Sequence, residues 1–529
     1  MYPAAVCFID SPNIGAGITP APTCYRRVVI VITILGLGPG DPALLTRAVW
    51  DVLSSANEVY LRTSRHPTVA GFPASLRVHS YDWVYEAHDD FARVYETIAT
   101  NVVALGRRDE GLIYAVPGHP RVGEATVARI VELATQESIP IRILPGLSFV
   151  EPVLDALALD GLDGLQIADA IDVAAQHHPH LDPDRPALLA QLYSRTLASD
   201  VKLTLLNQYP PDHRVVLVHA AGTSDQRVFE LPLVEIDRRD DLAHLTTLFI
   251  PRLPRQGGFE SFQETIAHLR APEGCPWDRE QTHQSLRPYL LEETYEVLDA
   301  IDRDDLDAMR EELGDLLLQV ALQTQVATDA ESFRMPDVIA GIQEKIIRRH
   351  PHVFGDVHVA GVEDVKRNWD AIKQAEKNET QRESRESALD GVPAGLPALA
   401  QADAYGSRAS RLGFDWTEIS GVLDKVAEEV REIAESPDVE AREHEFGDLL
   451  FALVNVARWL KIDPESALRS TNTRWSKRFR AVERAAREQG RTLRELSAEE
   501  LDMLWEAAKA HEGPRESAAL SRAPDDEEG

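Results

Sequence analysis

The sequence predicts an α/β N-terminal half followed by two all-α helical domains. Apolar, β-branched runs that end in glycine turns recur up to about residue 254, which is typical of alternating strands and helices. Beyond that point acidic helices take over, and one pattern of carboxylates and apolar residues occurs there twice. The predicted segments are a loose N-terminal extension at 1–30, an α/β domain at 31–254, a first helical domain at 255–377, a linker at 378–395, a second helical domain at 396–512 and a disordered acidic tail at 513–529.

The α/β half is predicted to begin with a strand at Val28–Leu37, which leads into the turn GLGPGD and a helix at Pro42–Ala56. Glycines at the carboxyl end of a strand allow a ligand to approach the backbone closely. A tight turn between strand and helix explains the same residues without any ligand. The candidate ligand-binding residues here are Gly36, Gly38, Gly40 and Asp41.

Further strands are predicted by apolar runs that end in glycine or proline. A cluster of proline, glycine and arginine at Pro251–Phe259 is predicted to form a hinge before the helical half. The predicted strand segments are Leu112–Pro120, Ile141–Ser148, Val215–Thr223 and Leu245–Leu253.

The stretch Leu291–Gln325 reads as two helices joined by a short acidic turn. In the first helix, Glu293 and Glu296 are three residues apart and therefore share a face. Glu312 and Asp315 have the same spacing in the second helix. Four such carboxylates beside a buried helix repel one another, and a hard divalent cation such as Mg²⁺ relieves that repulsion through oxygen ligands.

The same pattern recurs between Val426 and Leu453, and the tetrapeptide GDLL is present in both copies. A solvated acidic surface explains a single pair of glutamates, but the repetition favours two metal sites. The predicted metal ligands are Glu293, Glu296, Glu312 and Asp315 in the first copy, and Glu429, Glu432, Glu445 and Asp448 in the second.

Basic residues follow each acidic pattern at a similar distance. Lys345, Arg348 and Arg349 lie 30 to 34 residues after Asp315, and the run from Arg474 to Arg480 lies 26 to 32 residues after Asp448. Cations in step with the carboxylates are suited to contact phosphate oxygens. A cationic helix C-terminus that complements the helix dipole is the alternative for the first run.

Composition limits the classes of function. The formal net charge of −32 argues against a general nucleic-acid or anionic-membrane binder. Three cysteines without a CxxC pair favour a reducing cytoplasm. No apolar run approaches the roughly 20 residues that a membrane helix needs.

The section from Phe259 to His511 resembles MazG, a nucleoside triphosphate pyrophosphohydrolase with two tandem helical domains. The motifs are CPWD at 275–278, YLLEETYEVLDAI at 289–301, ELGDLLLQV at 312–320, RRHPHVF at 348–354, LGFDW at 412–416 and GDLLFALVN at 447–455. The resemblance implies Mg²⁺-dependent cleavage between the α and β phosphates, with metal bound by Glu429, Glu432, Glu445 and Asp448. It implies nucleotide contacts from Lys425, Glu428, Arg442, Arg474, Trp475, Lys477, Arg478 and Trp505. The spacing of Asn455 from Asp448 makes it a further candidate for the pocket.

Residues 31–254 resemble the tetrapyrrole methylases through GLGPGD, PGHP at 117–120, PGLSF at 145–149 and AGT at 221–223. That resemblance implies two α/β subdomains with S-adenosylmethionine bound between them. The family's usual GDP is here Gly118-His119-Pro120, so a possible cation replaces an acidic group. The glycines implied for the cofactor are Gly36, Gly38, Gly40, Gly118 and Gly222.

Three functions are compared. Pyrophosphohydrolysis leads, with Glu428 and Glu292 as carboxylates that could orient the attacking water. A methyltransferase whose helical half is regulatory is the second. A nucleotide-sensing scaffold is the third, but such a module would have lost its carboxylates, and both sets are present. The apolar stretches Leu316–Leu322 and Leu449–Val456 predict buried helices and a homodimer that completes their burial.

Overall fold

A computed structural model describes residues 31–88, 90–380 and 387–510. Contacts divide the chain into two compact units, Met1–Pro276 and Trp277–Gly529. The predicted extension at 1–30, the predicted tail at 513–529 and part of the predicted linker lie outside the described residues.

The first unit contains a parallel sheet of five strands in the order β3-β2-β4-β1-β5. Residues of β1 are buried on both faces, as expected for a parallel sheet covered by helices. Ile34 packs into the core on one face, and Leu35 into the core on the other. The strands are β1 (Ile32–Gly36), β2 (Glu58–Leu61), β3 (Arg77–Ser80), β4 (Leu112–Val116) and β5 (Ile141–Leu144), and the helices are α1 (Arg47–Ser55), α2 (Asp82–Ala87), α3 (Phe91–Gly106), α4 (Ala125–Gln136) and α5 (Val150–Leu157).

A second, mixed sheet follows in the same unit, in the order β6-β7-β10-β8-β9. Only β6 and β7 pair in parallel, and the other pairs are antiparallel. The helix α7 and a 3-10 helix cover its main core. The elements are β6 (Gln166–Asp169), α6 (Ala170–Ala174), β7 (Ala187–Ala190), α7 (Arg195–Leu205), β8 (Arg214–His219), β9 (Arg227–Pro232) and β10 (Thr246–Ile250), followed by α8 (Phe259–Arg270).

The predicted strands are present but shorter than predicted, and the single helix predicted at Pro42–Ala56 is wrong. Asp41 caps a 3-10 helix at Pro42–Leu44, and its Oδ1 accepts from the backbone N–H of Ala43 at 2.8 Å. Thr46 then caps α1 by accepting from the N–H of Val49 at 3.4 Å. Asp41 and Thr46 each cap the N-terminus of a helix, so two separate helices begin within a few residues of each other. The short strands β2, β3, β6, β7 and β9 were missed.

The segment predicted to be a hinge is anchored to the first unit. The backbone N–H groups of Gly257 and Gly258 donate to the two carboxylate oxygens of Asp184 at 2.8 and 2.9 Å. A Cβ on Gly258 would lie 2.6 Å from Asp182 Oδ1, so this close approach requires glycine. The start of α8 is therefore held by carboxylates that follow β6.

The second unit is helical. Two helix pairs, α10 with α11 and α16 with α17, make its main contacts. The polar segment after 375 begins as helix, because α14 continues to Thr380. The helices are α9 (Pro276–Glu280), α10 (Arg287–Asp302), α11 (Leu306–Asp329), α12 (Met335–Arg349), α13 (Pro351–Phe354), α14 (Val362–Thr380), α15 (Ala398–Ser410), α16 (Ile419–Glu435), α17 (Val439–Trp459), α18 (Pro464–Glu488) and α19 (Ala498–Ala510).

The prediction that the apolar helices are buried is wrong in part. Leu317 and Val320 on α11 are 41% and 40% exposed, and Leu450 and Leu453 on α17 are 41% and 46% exposed. Each helix buries one face against its partner helix, and the other face is left uncovered within the described chain. Across the described residues, none of the helices is both long and apolar enough to span a membrane.

Buried His66 makes the first unit sensitive to acid. Burial lowers the pKa of His66 to about 4, so the unfolded chain binds its proton more readily than the folded chain does. Stability should be complete above pH 6.5 and fall by about 3 kcal/mol as the pH drops toward 4. Hydrogen exchange of the β1 peptide across this pH range measures the loss. His66→Gln should flatten the profile, whereas the exposed control His268→Gln should leave it unchanged.

Candidate functional site

The second helical repeat brings three predicted carboxylates together. One oxygen from each of Glu429, Glu445 and Asp448 lies within 4.8 Å of the others. Glu429 projects from α16, while Glu445 and Asp448 are three residues apart on α17 and share a face. Glu429 is only 3% exposed, so its charge lies at the inner end of the cluster.

Lys425 supplies a cation at this cluster. Its Nζ lies 2.7 Å from Glu429 and 2.9 Å from Glu428, and the two carboxylates raise the pKa of Lys425. The second oxygen of Glu429, Oε2, is buried and has no hydrogen-bond partner among the described residues. A buried carboxylate oxygen without a partner is costly. Three converging carboxylates and that oxygen match the donor set of a hard divalent cation.

The fourth predicted ligand, Glu432, lies beside this group and not within it. Burial raises the pKa of Glu432, and the nearby charges of Glu429 and Glu445 raise it further, while Lys425 opposes them. The charges of the cluster therefore affect Glu432, but its carboxylate is not one of the three whose oxygens lie within 4.8 Å of one another.

The first repeat brings together a different set of three. Ligand atoms of Glu293, Glu296 and Glu312 lie within 4.8 Å of one another. Burial, followed by the charges of Asp315 and Glu296, raises the pKa of Glu293. Four residues before Glu293, where the second repeat has Lys425, the chain has Tyr289. Its ring meets the ring of Trp277 edge-on at 6.2 Å.

Two of the basic residues predicted to contact phosphate in the first repeat are already paired. Glu376 on α14 accepts from Arg348 at 2.7 Å and from Arg349 at 2.6 Å. These hydrogen bonds lower the pKa of Glu376 to about 2. The third predicted residue, Lys345, is exposed on α12. The two arginines therefore share one carboxylate within the repeat, which compensates one of their two charges.

The second repeat groups the two predicted aromatic contacts. Trp475 lies on α18 with its ring centroid 5.8 Å from that of Trp505 on α19, and it stacks on Phe479 at 4.9 Å. Trp475 is 54% exposed, so a flat face is open to solvent. Arg474 donates to Ser470 and Thr471, each at 3.0 Å. Of the remaining candidates, Lys477 and Arg478 lie on α18 and Arg442 on α17.

Asn455 belongs to a packed network rather than to an open surface. It is 4% exposed, and its Oδ1 accepts from Arg458 at 3.2 and 3.1 Å. Arg458 also donates to both oxygens of Asp415, at 2.8 and 2.7 Å. These bonds hold the pKa of Asp415 well below its usual range. Sequence reasoning missed Arg458 and Asp415, although Asp415 lies within the LGFDW motif.

In the first unit, turns of the backbone lie close together at the predicted glycines. We call this region the glycine cradle; its residues are Gly36, Gly38, Gly40, Gly118 and Gly222. Gly38 and Gly118 exchange two backbone hydrogen bonds, at 3.2 and 2.8 Å. A Cβ on Gly36 would lie 2.5 Å from the backbone N of Gly146, so three strand ends meet only because side chains are absent. Gly146 lies in the PGLSF motif at 145–149 but is not among the predicted site residues.

The remaining cradle residues link the two sheets of this unit. A Cβ on Gly40 would lie 3.1 Å from Thr223, and one on Gly222 would lie 2.8 Å from Pro152. At Gly118, where φ is +64°, a Cβ would meet none of the described atoms within 4 Å. Open space beside a left-handed glycine at the carboxyl end of a parallel sheet suits a ligand such as S-adenosylmethionine.

Comparisons with known proteins match both halves. Residues 281–354 match the family described as the MazG nucleotide pyrophosphohydrolase domain, and residues 31–237 match the Tetrapyrrole (Corrin/Porphyrin) Methylases. The chain is 43% identical to uncharacterized protein YabN of Bacillus subtilis, over 91% of this chain and 99% of that one. It is 45% identical to the nucleoside triphosphate pyrophosphohydrolase/pyrophosphatase MazG of Thermotoga maritima, over 47% of this chain and 95% of that one. The Escherichia coli K12 nucleoside triphosphate pyrophosphohydrolase is 44% identical, with the same two shares.

A metal ion bound at Glu429 would have to displace Lys425, and removal of the lysine should expose that competition. Lys425→Met should bind Mn²⁺ about tenfold more tightly, because the carboxylate no longer exchanges an internal cation for the metal. Isothermal titration of the full chain measures the affinity. Tyr289→Phe, at the matching position of the first repeat, should leave Mn²⁺ binding unchanged. Weaker binding by Lys425→Met would contradict this account.

Proposed function

This chain belongs to the MazG family, joined to a tetrapyrrole methylase domain, and we propose that its helical half cleaves nucleoside triphosphates between the α and β phosphates. The products are a nucleoside monophosphate and pyrophosphate. The observation that supports this most directly is the convergence of one oxygen each from Glu429, Glu445 and Asp448, together with the buried Glu429 Oε2, which has no hydrogen-bond partner among the described residues. Such a donor set binds the metal that phosphoryl chemistry needs.

The proposed roles follow the positions of the side chains. Glu429, Glu445 and Asp448 would hold Mg²⁺, with Glu432 beside them as the fourth predicted ligand, and the ion would neutralise charge that develops on the phosphates. Glu428 is half-exposed beside Lys425 and would orient the attacking water. Once a metal occupies the carboxylates, Lys425 becomes available to pair with a phosphate oxygen.

The nucleotide would extend from the metal toward α18. Arg442, Arg474, Lys477 and Arg478 would contact the phosphates, because guanidinium and ammonium groups match phosphate oxygens in charge and geometry. The paired rings of Trp475 and Trp505 offer a stacking surface for the base. Asn455 would act indirectly, by fixing Arg458 and the packing of α17.

The proposal assigns turnover to the second repeat. In the first, Glu293, Glu296, Glu312 and Asp315 would bind a metal, and Glu292 would be the equivalent of Glu428. Two features disfavour hydrolysis there: Tyr289 replaces the lysine, and Glu376 already pairs with Arg348 and Arg349. Of the three basic residues predicted to contact phosphate in that repeat, we propose that Lys345 is the one most available to it.

Product analysis with Mg²⁺ and a panel of nucleoside triphosphates tests this assignment. The intact chain should release pyrophosphate and a monophosphate. Glu429→Gln should lower the rate at least about 100-fold, because it removes a charge that holds the metal. Glu293→Gln, the matched control in the first repeat, should retain most of the rate.

Two outcomes would contradict the proposal. Release of inorganic phosphate without pyrophosphate would place the cleavage elsewhere in the triphosphate. Loss of activity in Glu293→Gln with retention in Glu429→Gln would reverse the assignment of the repeats.

The glycine cradle supports a second function in the first unit, binding of S-adenosylmethionine. Gly36, Gly38 and Gly118 bring two strand ends together, and the space beside Gly118 would receive the cofactor. Gly40, Asp41 and Gly222 would shape the adjoining turns. Methyl transfer, with the helical half as its regulator, is the alternative activity, and transfer of a labelled methyl group to an acceptor would support it.

We also propose that the protein acts in the cytoplasm as a homodimer. Uncovered apolar faces lie on α11 and α17, and α12, which contacts α11, exposes five large aliphatic side chains. Contiguous apolar helix faces in such bundles are commonly completed by a second copy. The residues on α12 are Val338, Ile339, Ile342, Ile346 and Ile347.

Light scattering of the full chain at micromolar concentration tests the dimer. The intact chain should have the mass of two copies, because pairing would cover these faces. Leu450→Glu should shift the mass toward one copy, since it places a charge in the proposed interface. Leu203→Glu, an exposed leucine on α7, is the matched control and should stay dimeric. A monomeric intact chain would refute the proposal.

A further inference from the structure

A polar cluster in the first unit lies where the loops after β2 and β4 meet. Arg62, directly after β2, donates to Glu124 at 2.6 Å and to Tyr85 at 2.8 Å. The side chain of Glu124 is 1% exposed, and it also accepts from Thr126. Thr126 in turn contacts the fully buried hydroxyl of Tyr114 at 3.1 Å. The buried hydrogen bonds of Glu124 thus hold Arg62 in one position, as is usual for residues that bind a ligand.

The second sheet contributes to the same place. Gln191, directly after β7, donates to Asp169 at the end of β6 at 2.8 Å. A Cβ on Gly123 would lie 3.3 Å from Gln191 Nε2, so the loop before Glu124 touches this side chain. Gln191 has a φ of +64°, a strained conformation for a residue other than glycine. Strain of this kind is concentrated at functional sites.

Tyr95 lies close to Arg62, and the ring of Phe91 packs against the ring of Tyr95. The guanidinium of Arg62 lies 5.8 Å from the Tyr95 ring centroid. Burial raises the pKa of Tyr95, and the charges of Glu124 and Asp169 raise it further, so both carboxylates are within electrostatic range. Phe91, which is half-exposed, stacks on Tyr95 with ring centroids 6.0 Å apart. The cleft cluster, defined as Arg62, Tyr95, Glu124, Asp169 and Gln191, therefore combines an aromatic ring with hydrogen-bonding groups, and Phe91 adds a second ring.

The charges of the cleft cluster favour one class of ligand. Arg62 is neutralised by Glu124, and Asp169 leaves an excess negative charge. A macrocycle with many carboxylates would be repelled, whereas a neutral ring is accepted. The floor offers a guanidinium as hydrogen-bond donor, a carboxylate as acceptor and an amide as both. A planar nitrogen heterocycle with N–H donors and carbonyl acceptors matches this set.

We propose that the cleft cluster binds a nucleobase, stacked on Phe91 and Tyr95 and read at its edge by Arg62, Asp169 and Gln191. The site lies on the β4–α4 loop that also carries Gly118, so a base bound here would be next to the glycine cradle. The proposal concerns binding and does not depend on pyrophosphate release. Pyrophosphohydrolysis could fail its own test while this binding remains, and the reverse also holds.

Titration of the full chain with guanosine, cytidine and uridine, without added metal, tests the proposal. Adenosine is left out because it is part of S-adenosylmethionine, the ligand proposed for the adjoining glycine cradle. At least one nucleoside should bind saturably. Phe91→Ala should weaken that binding about 5- to 100-fold, because it removes half of the stacking surface. Asp169→Asn should weaken it about tenfold, because a neutral amide accepts hydrogen bonds less strongly than a carboxylate. Leu203→Ala, an exposed residue of the same unit, is the control and should change nothing.

Further measurements separate the cleft cluster from the helical half. Trp505→Ala removes part of the base-stacking surface proposed for the helical half. Loss of all saturable nucleoside binding in this variant would overturn the proposal by locating the base in the second repeat. Absence of binding by every nucleoside would also overturn it. So would competition at this site by uroporphyrin, a ring with many carboxylates, if that ligand bound more tightly than any nucleoside.

Discussion

Repulsion between carboxylates is the constraint on which the helical half depends. Each repeat sets glutamates and aspartates on two packed helices so that three oxygens converge within 4.8 Å. The apolar contacts between those helices fix the spacing, and the like charges oppose it. Something must supply compensation: a proton, an internal cation or a metal ion. The chemistry open to each repeat depends on which of these it uses.

The two repeats compensate in different ways. In the first, burial and the neighbouring carboxylates raise the pKa values of Glu293 and Glu312, so these groups hold a proton more readily than isolated glutamates do. In the second, the ammonium group of Lys425 lies 2.7 Å from Glu429. An ammonium can be exchanged for a metal without a proton having to leave first. One residue on α16, in place of Tyr289 on α10, thus separates two sites that share the same carboxylate spacing.

Local sequence patterns predict the carboxylates and glycines that the structure brings together, whereas contacts between distant segments leave no such pattern. The three-residue spacing of Glu445 and Asp448 predicts a shared helix face, and glycines after β1 predict a backbone turn. Short strands such as β2 and β7 carry no such periodicity, so the loops that hold Arg62 and Gln191 were not recognised. The pairing of Arg348 with Glu376 joins residues 28 apart on different helices. A sequence gives no sign that such a cation is already engaged, and likewise it does not reveal that Asn455 is committed to Arg458.

The anchoring of α8 has a consequence for how this chain can be divided or recombined. By sequence the helix belongs with the helical half, but its first turn is held by Asp184 through the N–H groups of Gly257 and Gly258. A gene fusion that exchanged only the residues before Phe259 would separate Ser261, in that first turn, from the Asp184 carboxylate to which it is hydrogen-bonded. The segment that can be exchanged as a unit therefore does not end at Gly257 and Gly258. An exchange that keeps these contacts includes α8 with the α/β unit, and the two chains are joined near Pro276.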